Sequence, residues 1–196
     1  GEILWRLGRF EDAKRELDHL RQIYRDNLLI SYQLAIHLRD VGLYRSSIMA
    51  AATVINLLGE TPFTAPKFVV GLAYPVYYAD LIVPLSERYD YDPLVQFALV
   101  RQESLYESFA TSTAVAQGLA QVIPDTGIYI AEKLRWPNYN NSDLYKPYVG
   151  LEFGGFYLAE QMRLFEGTVH AALAAYNGGP GNALRWFNAA GTDIDL

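Results

Sequence analysis

Cysteine is absent from the 196 residues, which excludes a disulfide framework and thiolate metal sites but leaves the compartment open. Histidine is scarce. His19, His37 and His170 have no partner at metal-ligand spacing, so no metal centre is expected. Basic charge is also short: 16 Lys and Arg stand against 22 Asp and Glu, a net charge of −6. That argues against a nucleic-acid partner, which would need a basic face. There is no run of about 18 uncharged apolar residues, so no membrane-spanning helix is expected. No secretory leader is visible in these residues either, which is no evidence for the cytoplasm. However, Gly1 is not an initiator Met, and Gly1-Glu2-Ile3-Leu4-Trp5 reads like the middle of a helix. The chain is therefore expected to be a fragment.

What is present is a chain with 51% hydrophobic residues, enough for a real core. Residues 1 to about 60 are rich in charge and helix formers and contain no Pro. Phe10 to Tyr24 places Ala13, Leu17, Leu20 and Tyr24 on one helical stripe. Leu28 to Leu38 and Ser46 to Leu58 read as further helices. Leu7-Gly8-Arg9-Phe10 with Ala13 recurs as Val41-Gly42-Leu43-Tyr44 with Ser47, an offset of 34 residues. That is the period of tetratricopeptide-type hairpins, and an ordinary helical hairpin would give the same pattern by coincidence. Residues 59 to 76 hold Gly59, Pro62, Pro66, Gly71 and Pro75 and read as a connector.

Beyond it, Tyr77 to Tyr89 reads as helix. Asp92-Pro93 is a helix start, with an N-cap acceptor followed by Pro at the first helical position. The helix it opens runs to about Ser104. Its apolar residues go nearly all the way round, so it is expected to be buried. Gly118 to Ile123 reads as a short extended piece and Pro124 to Leu134 as helix. Asn138 to Asp143 reads as loop. Leu151 to Phe165, Val169 to Tyr176 and Ala183 to Ala189 read as three more helices, with a Gly178-Gly179-Pro180-Gly181 break before the last. The fold class is mainly α.

Glu103 stands at the end of the helix expected to be buried. A carboxyl at the tip of an apolar helix loses hydration, which disfavours its anion and raises its pKa. A general acid acting on a glycosidic oxygen needs that property. On position alone the plainer alternative is favoured: a structural ion pair with Arg101 or another Arg. The 15 Tyr, 9 Phe and 3 Trp include candidates for stacking on sugar faces, although most should be core. The Gly178–Gly181 run lacks the preceding strand and Lys of a phosphate-binding loop. No Gly-x-Ser-x-Gly elbow surrounds any serine, so a serine hydrolase is not indicated.

Three ordered motifs carry a resemblance. They are Arg101-Gln102-Glu103-Ser104, then Ser112 to Gln121 ending in Gly118-Leu119-Ala120-Gln121, then Ala175-Tyr176-Asn177-Gly178-Gly179. Together they resemble the soluble lytic transglycosylase family, from about Leu72 to the C-terminus. The resemblance implies a lysozyme-like catalytic domain over 71–196. It is preceded over 1–70 by part of an α-superhelical, tetratricopeptide-like region. It implies peptidoglycan glycan strands as substrate, no cofactor, and an extracytoplasmic, periplasmic or cell-envelope location. The helical region would offer a surface to cell-wall machinery. Carried over position by position, Glu103 resembles the single catalytic acid/base. Ser112 and Gln121 match positions around the reacting muramoyl residue, Tyr176 and Asn177 match the Ala-Tyr-Asn motif beside the catalytic Glu, and Gly118 and Leu119 shape the segment carrying Gln121.

There are departures. Ala120 stands where the family usually has Met, which is expected to remove a contact to the sugar and widen the pocket. Val115 stands where Gly is favoured, and Gly150 where Asn is frequent. The chain stops before the family's Ile-Pro-Phe-x-Glu-Thr-Arg segment, so part of the active-site wall is expected to be missing. Most glycosidases pair two carboxylates. Glu107, four residues on, would share a face only if the helix continued, and Asp125 and Asp143 read as helix-start and turn residues. A lone acid fits the transglycosylase route that the resemblance implies. A lysozyme-type hydrolase and a non-catalytic wall-binding scaffold remain the rival readings.

Overall fold

The computed structural model describes residues 1–190. The chain divides into two compact units, Gly1–Val76 and Tyr77–Leu196. Among the described residues every regular element is helical, and no helix is long and apolar enough to cross a membrane.

The first unit holds α1 (Glu2–Arg6), α2 (Phe10–Ile23), α3 (Leu28–Asp40), α4 (Tyr44–Leu57) and α5 (Lys67–Ala73). The apolar stripe of α2 buries Ala13 and Leu17 as its spacing requires. Asn27 caps α3 by accepting from the Ile30 amide at 3.0 Å. The two Gly turns have the same geometry. Gly8 and Gly42 take φ values of +73° and +79°, a region Gly enters without penalty. In each turn the next amide reaches back to an earlier carbonyl, Arg9 to Leu4 and Leu43 to Leu38. The aromatic that follows opens the next helix, and the small residue three further on, Ala13 or Ser47, is fully buried. The Ser47 hydroxyl donates to the Ala35 carbonyl at 2.7 Å, joining α4 to α3 at close range. Leu38, Ala50, Ala51, Val54, Val69 and Leu72 complete this core.

The connector expected over 59–76 contains a helix. Pro66 caps α5, and Val69, Leu72 and Ala73 form an i, i+3, i+4 stripe that buries against the core. Packing of that stripe overrides the Gly and Pro signals around it.

The second unit holds α6 (Ala79–Tyr89), α7 (Pro93–Ser104), α8 (Pro124–Leu134), a one-turn 3₁₀ segment (Asn141–Tyr145), α9 (Pro147–Leu164), α10 (Val169–Gly178) and α11 (Pro180–Ala190). Pro opens α7, α8 and α9, because the first helical turn has no use for its missing N–H. The Asp92 side chain caps α7 by accepting from the Leu94 amide. The central helix is α9, packed against α6, α8, α10 and the 3₁₀ turn. Its Leu151, Phe153 and Leu158 are fully buried, each worth about 1.5–3 kcal/mol. Glu152 of α9 accepts two hydrogen bonds from Arg88 at 3.1 and 3.0 Å, and one from the Tyr89 hydroxyl, which ties α9 to α6.

Three expectations need correction. The first is that α7 is buried all round: Leu94 is 65% exposed, and the polar Gln96 is inside instead. Gln96 is tolerated there because its amide donates to the Leu151 carbonyl at 2.9 Å and accepts from the Tyr91 hydroxyl at 2.7 Å. The second is the loop at Asn138 to Asp143. It runs into the 3₁₀ turn, where Asn140 and Asp143 form a capping box. The third is the break before the last helix. It shrinks to Gly179, whose φ of +81° turns the chain between α10 and α11.

Candidate active site

Glu103 lies in the last turn of α7, which ends at Leu105 and Tyr106, both in the left-handed region. The neighbouring Ser104 is buried, and its hydroxyl donates to the Leu119 carbonyl at 2.8 Å. That bond pins the helix end to the 111–122 loop. Gly118 to Ile123, expected to be extended, forms a turn held by isolated bridges, Thr111 with Gln117 and Gln117 with Val122. The loop places Gln121 at φ +47°. Both protons of the Gln121 amide are used, on the Gly118 carbonyl at 2.8 Å and the Ala110 carbonyl at 3.1 Å. The Gln121 side-chain carbonyl is left to accept. The Ser112 hydroxyl oxygen accepts from the Ala114 and Ala116 amides at 3.2 and 3.1 Å, so its own proton remains free to donate.

From the opposite side, α10 brings Tyr176 and Asn177. The Tyr176 hydroxyl donates to the Ala120 carbonyl at 2.8 Å, which locks the ring to the loop and leaves the phenol oxygen an acceptor. Tyr157 of α9 packs edge-on against Tyr176, with ring centroids 5.3 Å apart.

These elements enclose a cleft of about 520 Å³ whose wall includes Glu103, Ser112, Gln121, Tyr157, Tyr176 and Asn177. Five of the seven residues expected from the motifs therefore share one cavity. Gly118 and Leu119 do not line it. Leu119 is fully buried, and Gly118, at φ +76°, lies against the Leu144 carbonyl where any side chain would collide. Both shape the loop from behind. Tyr157 and Thr126 are wall residues that the motifs did not single out. They sit in helices whose pattern reads as packing, and no sequence signal separates them from core aromatics and caps.

Burial raises the Glu103 pKa from the ordinary carboxylate value. Burial, and then the charge of Glu103, push the Tyr176 phenol well above its usual value. Burial thus disfavours the Glu103 carboxylate and the Tyr176 phenolate alike. Among the described wall residues Glu103 is the one carboxyl. Glu107 follows the end of α7 and is not in the wall, and Asp125 lines a neighbouring cavity.

Ala120 departs from expectation. It is 1% exposed, points at Gly154 of α9 and takes no part in the wall, so its small size does not widen the cleft. Val115 sits at φ +61°, a conformation suited to Gly.

The described cleft thus sets a desolvated glutamate at a helix end among a Gln-bearing loop and a Tyr-Asn helix. The chain belongs to the transglycosylase SLT domain family, whose model matches residues 80–195. It is 31% identical over 122 residues to membrane-bound lytic murein transglycosylase C of Edwardsiella ictaluri, covering 57% of this chain and 34% of that protein. It is 31% identical over 123 residues to soluble lytic murein transglycosylase of Salmonella typhimurium, covering 62% of this chain and 19% of that one. Thus it spans about a third or less of these relatives' lengths. Its fold matches an inactive mutant of the lytic transglycosylase Slt from Pseudomonas aeruginosa with a TM-score of 0.80 and 25% identity. That match covers 94% of this chain and 28% of the other. It also matches the 70-kDa soluble lytic transglycosylase in complex with bulgecin A, with a TM-score of 0.78, 21% identity, and 95% and 28% coverage.

Proposed function

We propose that this chain is the catalytic part of a lytic transglycosylase. It cleaves the β-1,4 bond between N-acetylmuramic acid and N-acetylglucosamine in peptidoglycan and leaves a 1,6-anhydromuramoyl end. The observation that carries this reading is Glu103: a desolvated carboxyl, alone of its kind in the described cleft wall.

Neutral Glu103 donates its proton to the glycosidic oxygen as the bond to the muramoyl C1 breaks. The sugar's own N-acetyl carbonyl stabilises the cation that develops there. Glu103, now a carboxylate, takes the proton of the muramoyl 6-hydroxyl as that oxygen bonds to C1. One proton leaves Glu103, one returns, and no water is consumed. Gln121 and Tyr176 present acceptors, suited to the substrate's hydroxyl and acetamido N–H donors. Ser112 presents a donor. With Asn177, these groups hold the ring so that one carboxyl serves both steps.

Mass spectrometry of products released from purified peptidoglycan tests the reading. The expected product is one water lighter than the product of hydrolysis. A product of hydrolytic mass would mean a lysozyme-type hydrolase. Absence of cleavage, with strand binding retained, would mean a wall-binding scaffold.

The same reading assigns 71–196 as the transglycosylase domain and 1–70 as superhelical, with its repeated Gly-aromatic turns of tetratricopeptide type. That region would meet cell-wall machinery. The location that follows is the periplasm or another extracytoplasmic part of the envelope, where the substrate is.

A further inference from the structure

The loop that brings Ser112 and Gln121 to the cleft wall starts beside an aromatic pair. Phe109 is 74% exposed and stacks on Tyr145 of the 3₁₀ turn, with ring centroids 5.9 Å and planes 29° apart. Stacking covers one face of Phe109 and leaves the other to solvent. A single exposed apolar residue is ordinary on a protein surface and carries nothing alone. This pair also has a polar edge. The Thr111 and Tyr145 hydroxyls, both exposed, stand 2.7 Å apart. One hydrogen bond between them leaves a proton and several lone pairs for a ligand.

The pair is also fixed to the cleft. Ala110, the residue after Phe109, accepts from the Gly118 amide at 3.0 Å and from the Gln121 side chain at 3.1 Å. Tyr145 follows Leu144, which is fully buried and sets its carbonyl against Gly118. Both rings are therefore anchored at the backbone positions that place Gln121. A ring face held this way binds without the cost of ordering it. The charges flanking Tyr145 in sequence, Asp143 and Lys146, pair with each other at 2.7 Å, so the surface suits a neutral ligand. An apolar face edged by hydroxyls is the complement of a pyranose, which carries C–H bonds on its faces and hydroxyls on its rim. A glycan strand supplies such rings on both sides of the bond that is cut.

We propose that Phe109 and Tyr145 form a platform for a non-reacting pyranose of the strand, beyond the two sugars at the scissile bond. Phe109 stacks on the sugar's C–H face, and the Thr111 and Tyr145 hydroxyls meet its rim. The assignment rests on the peptidoglycan reading and adds a determinant of strand length to it. Phe109 and Tyr145 lie outside the three motifs that mark the cleft.

The test is a calorimetric titration of the chain carrying Glu103→Gln with β-1,4-linked N-acetylglucosamine oligomers of increasing length. Affinity is expected to rise about five- to tenfold at the length that reaches the platform. Adding Phe109→Ala or Phe109→Leu is expected to remove that rise and to leave the shortest bound oligomer unaffected. Leucine keeps apolar bulk but has no ring face, so it separates stacking from plain burial. Phe109→Trp is expected to keep the rise. A rise that survives both Phe109→Ala and Phe109→Leu overturns the proposal. So does an equal loss at every length, which marks a distorted cleft. Affinity flat with length, or no binding of any oligomer, overturns it without any change at Phe109, so the test holds even if a variant fails to fold. Formation of the anhydro product by the unsubstituted chain is scored separately. Its absence overturns the parent reading, whereas the length dependence of binding tests the platform.

Discussion

Glu103 has a chemical role and a thermodynamic signature. Its pKa is raised by burial, so between the unfolded and folded values the folded chain holds more protons than the unfolded one. Ionisation therefore costs stability as pH rises through that window, and the cost is full above the folded value. Glu103→Gln removes the ionisable group. Its Tm should exceed the parent's at pH 7, and the difference should vanish near pH 3, where both states are protonated; paired thermal scans check this. The same substitution should lower strand cleavage by about 10²–10⁴-fold, the span of one lost acid/base group. The activity limb set by Glu103 should fall at a higher pH than an ordinary carboxyl gives, because the acid must start neutral. Val115 gives a second residue-scale expectation. A β-branched residue at φ +61°, 54% exposed, carries left-handed strain with little packing to offset it. Val115→Gly should stabilise the chain by roughly 0.5–1 kcal/mol in urea denaturation, the relieved strain less the backbone entropy of Gly. The motif residues were legible because their order and spacing are specific. The strain at Val115 was not, since a backbone angle leaves no mark in composition.

At the scale of elements, the site depends on how closely α9 meets the loop carrying Gln121. A methyl group added to Gly154 would sit 2.4 Å from the Ala120 side chain and 3.3 Å from the Tyr176 hydroxyl. Both positions are small for one reason: helix and loop share the same space. Gly154→Ala should cost about 1–3 kcal/mol by overpacking. It should also reduce activity, since the Ala120 carbonyl holds Tyr176. Ala120→Gly in the same chain should recover part of both losses, a coupling that a double-mutant cycle reads directly. The sequence pointed to Ala120 as a departure but suggested a wider pocket. The error is one of direction, because side-chain orientation in a non-helical turn has no period to read. Gln96 is a related case. Helical periodicity located α7 but could not show that a glutamine, not Leu94, would face inward. The deciding partners, Tyr91 and the Leu151 carbonyl, are brought there by the fold, the second from 55 residues away.

At the scale of the molecule, a mainly α fold was legible from apolar stripes and Pro-opened helices. What joins helices distant in sequence into one cleft was legible only where motifs marked it. Tyr157 and Thr126 lie between the marked segments and had no label. Net charge, by contrast, is fully readable and has a consequence for the proposed substrate. A chain of charge −6 approaching strands whose peptides bear carboxylates meets repulsion. At about 0.01 M salt that repulsion extends over roughly 30 Å, and at about 0.15 M over roughly 8 Å. KM for strands with acetylated amines should therefore fall about two- to threefold between those concentrations. Strands with free amines should show a smaller change, because their ammonium groups offset the peptide carboxylates. Initial-rate measurements on both strand types across that range separate the two effects. A rise in KM with salt on acetylated strands would mean that a basic surface, which the composition does not provide, governs the encounter.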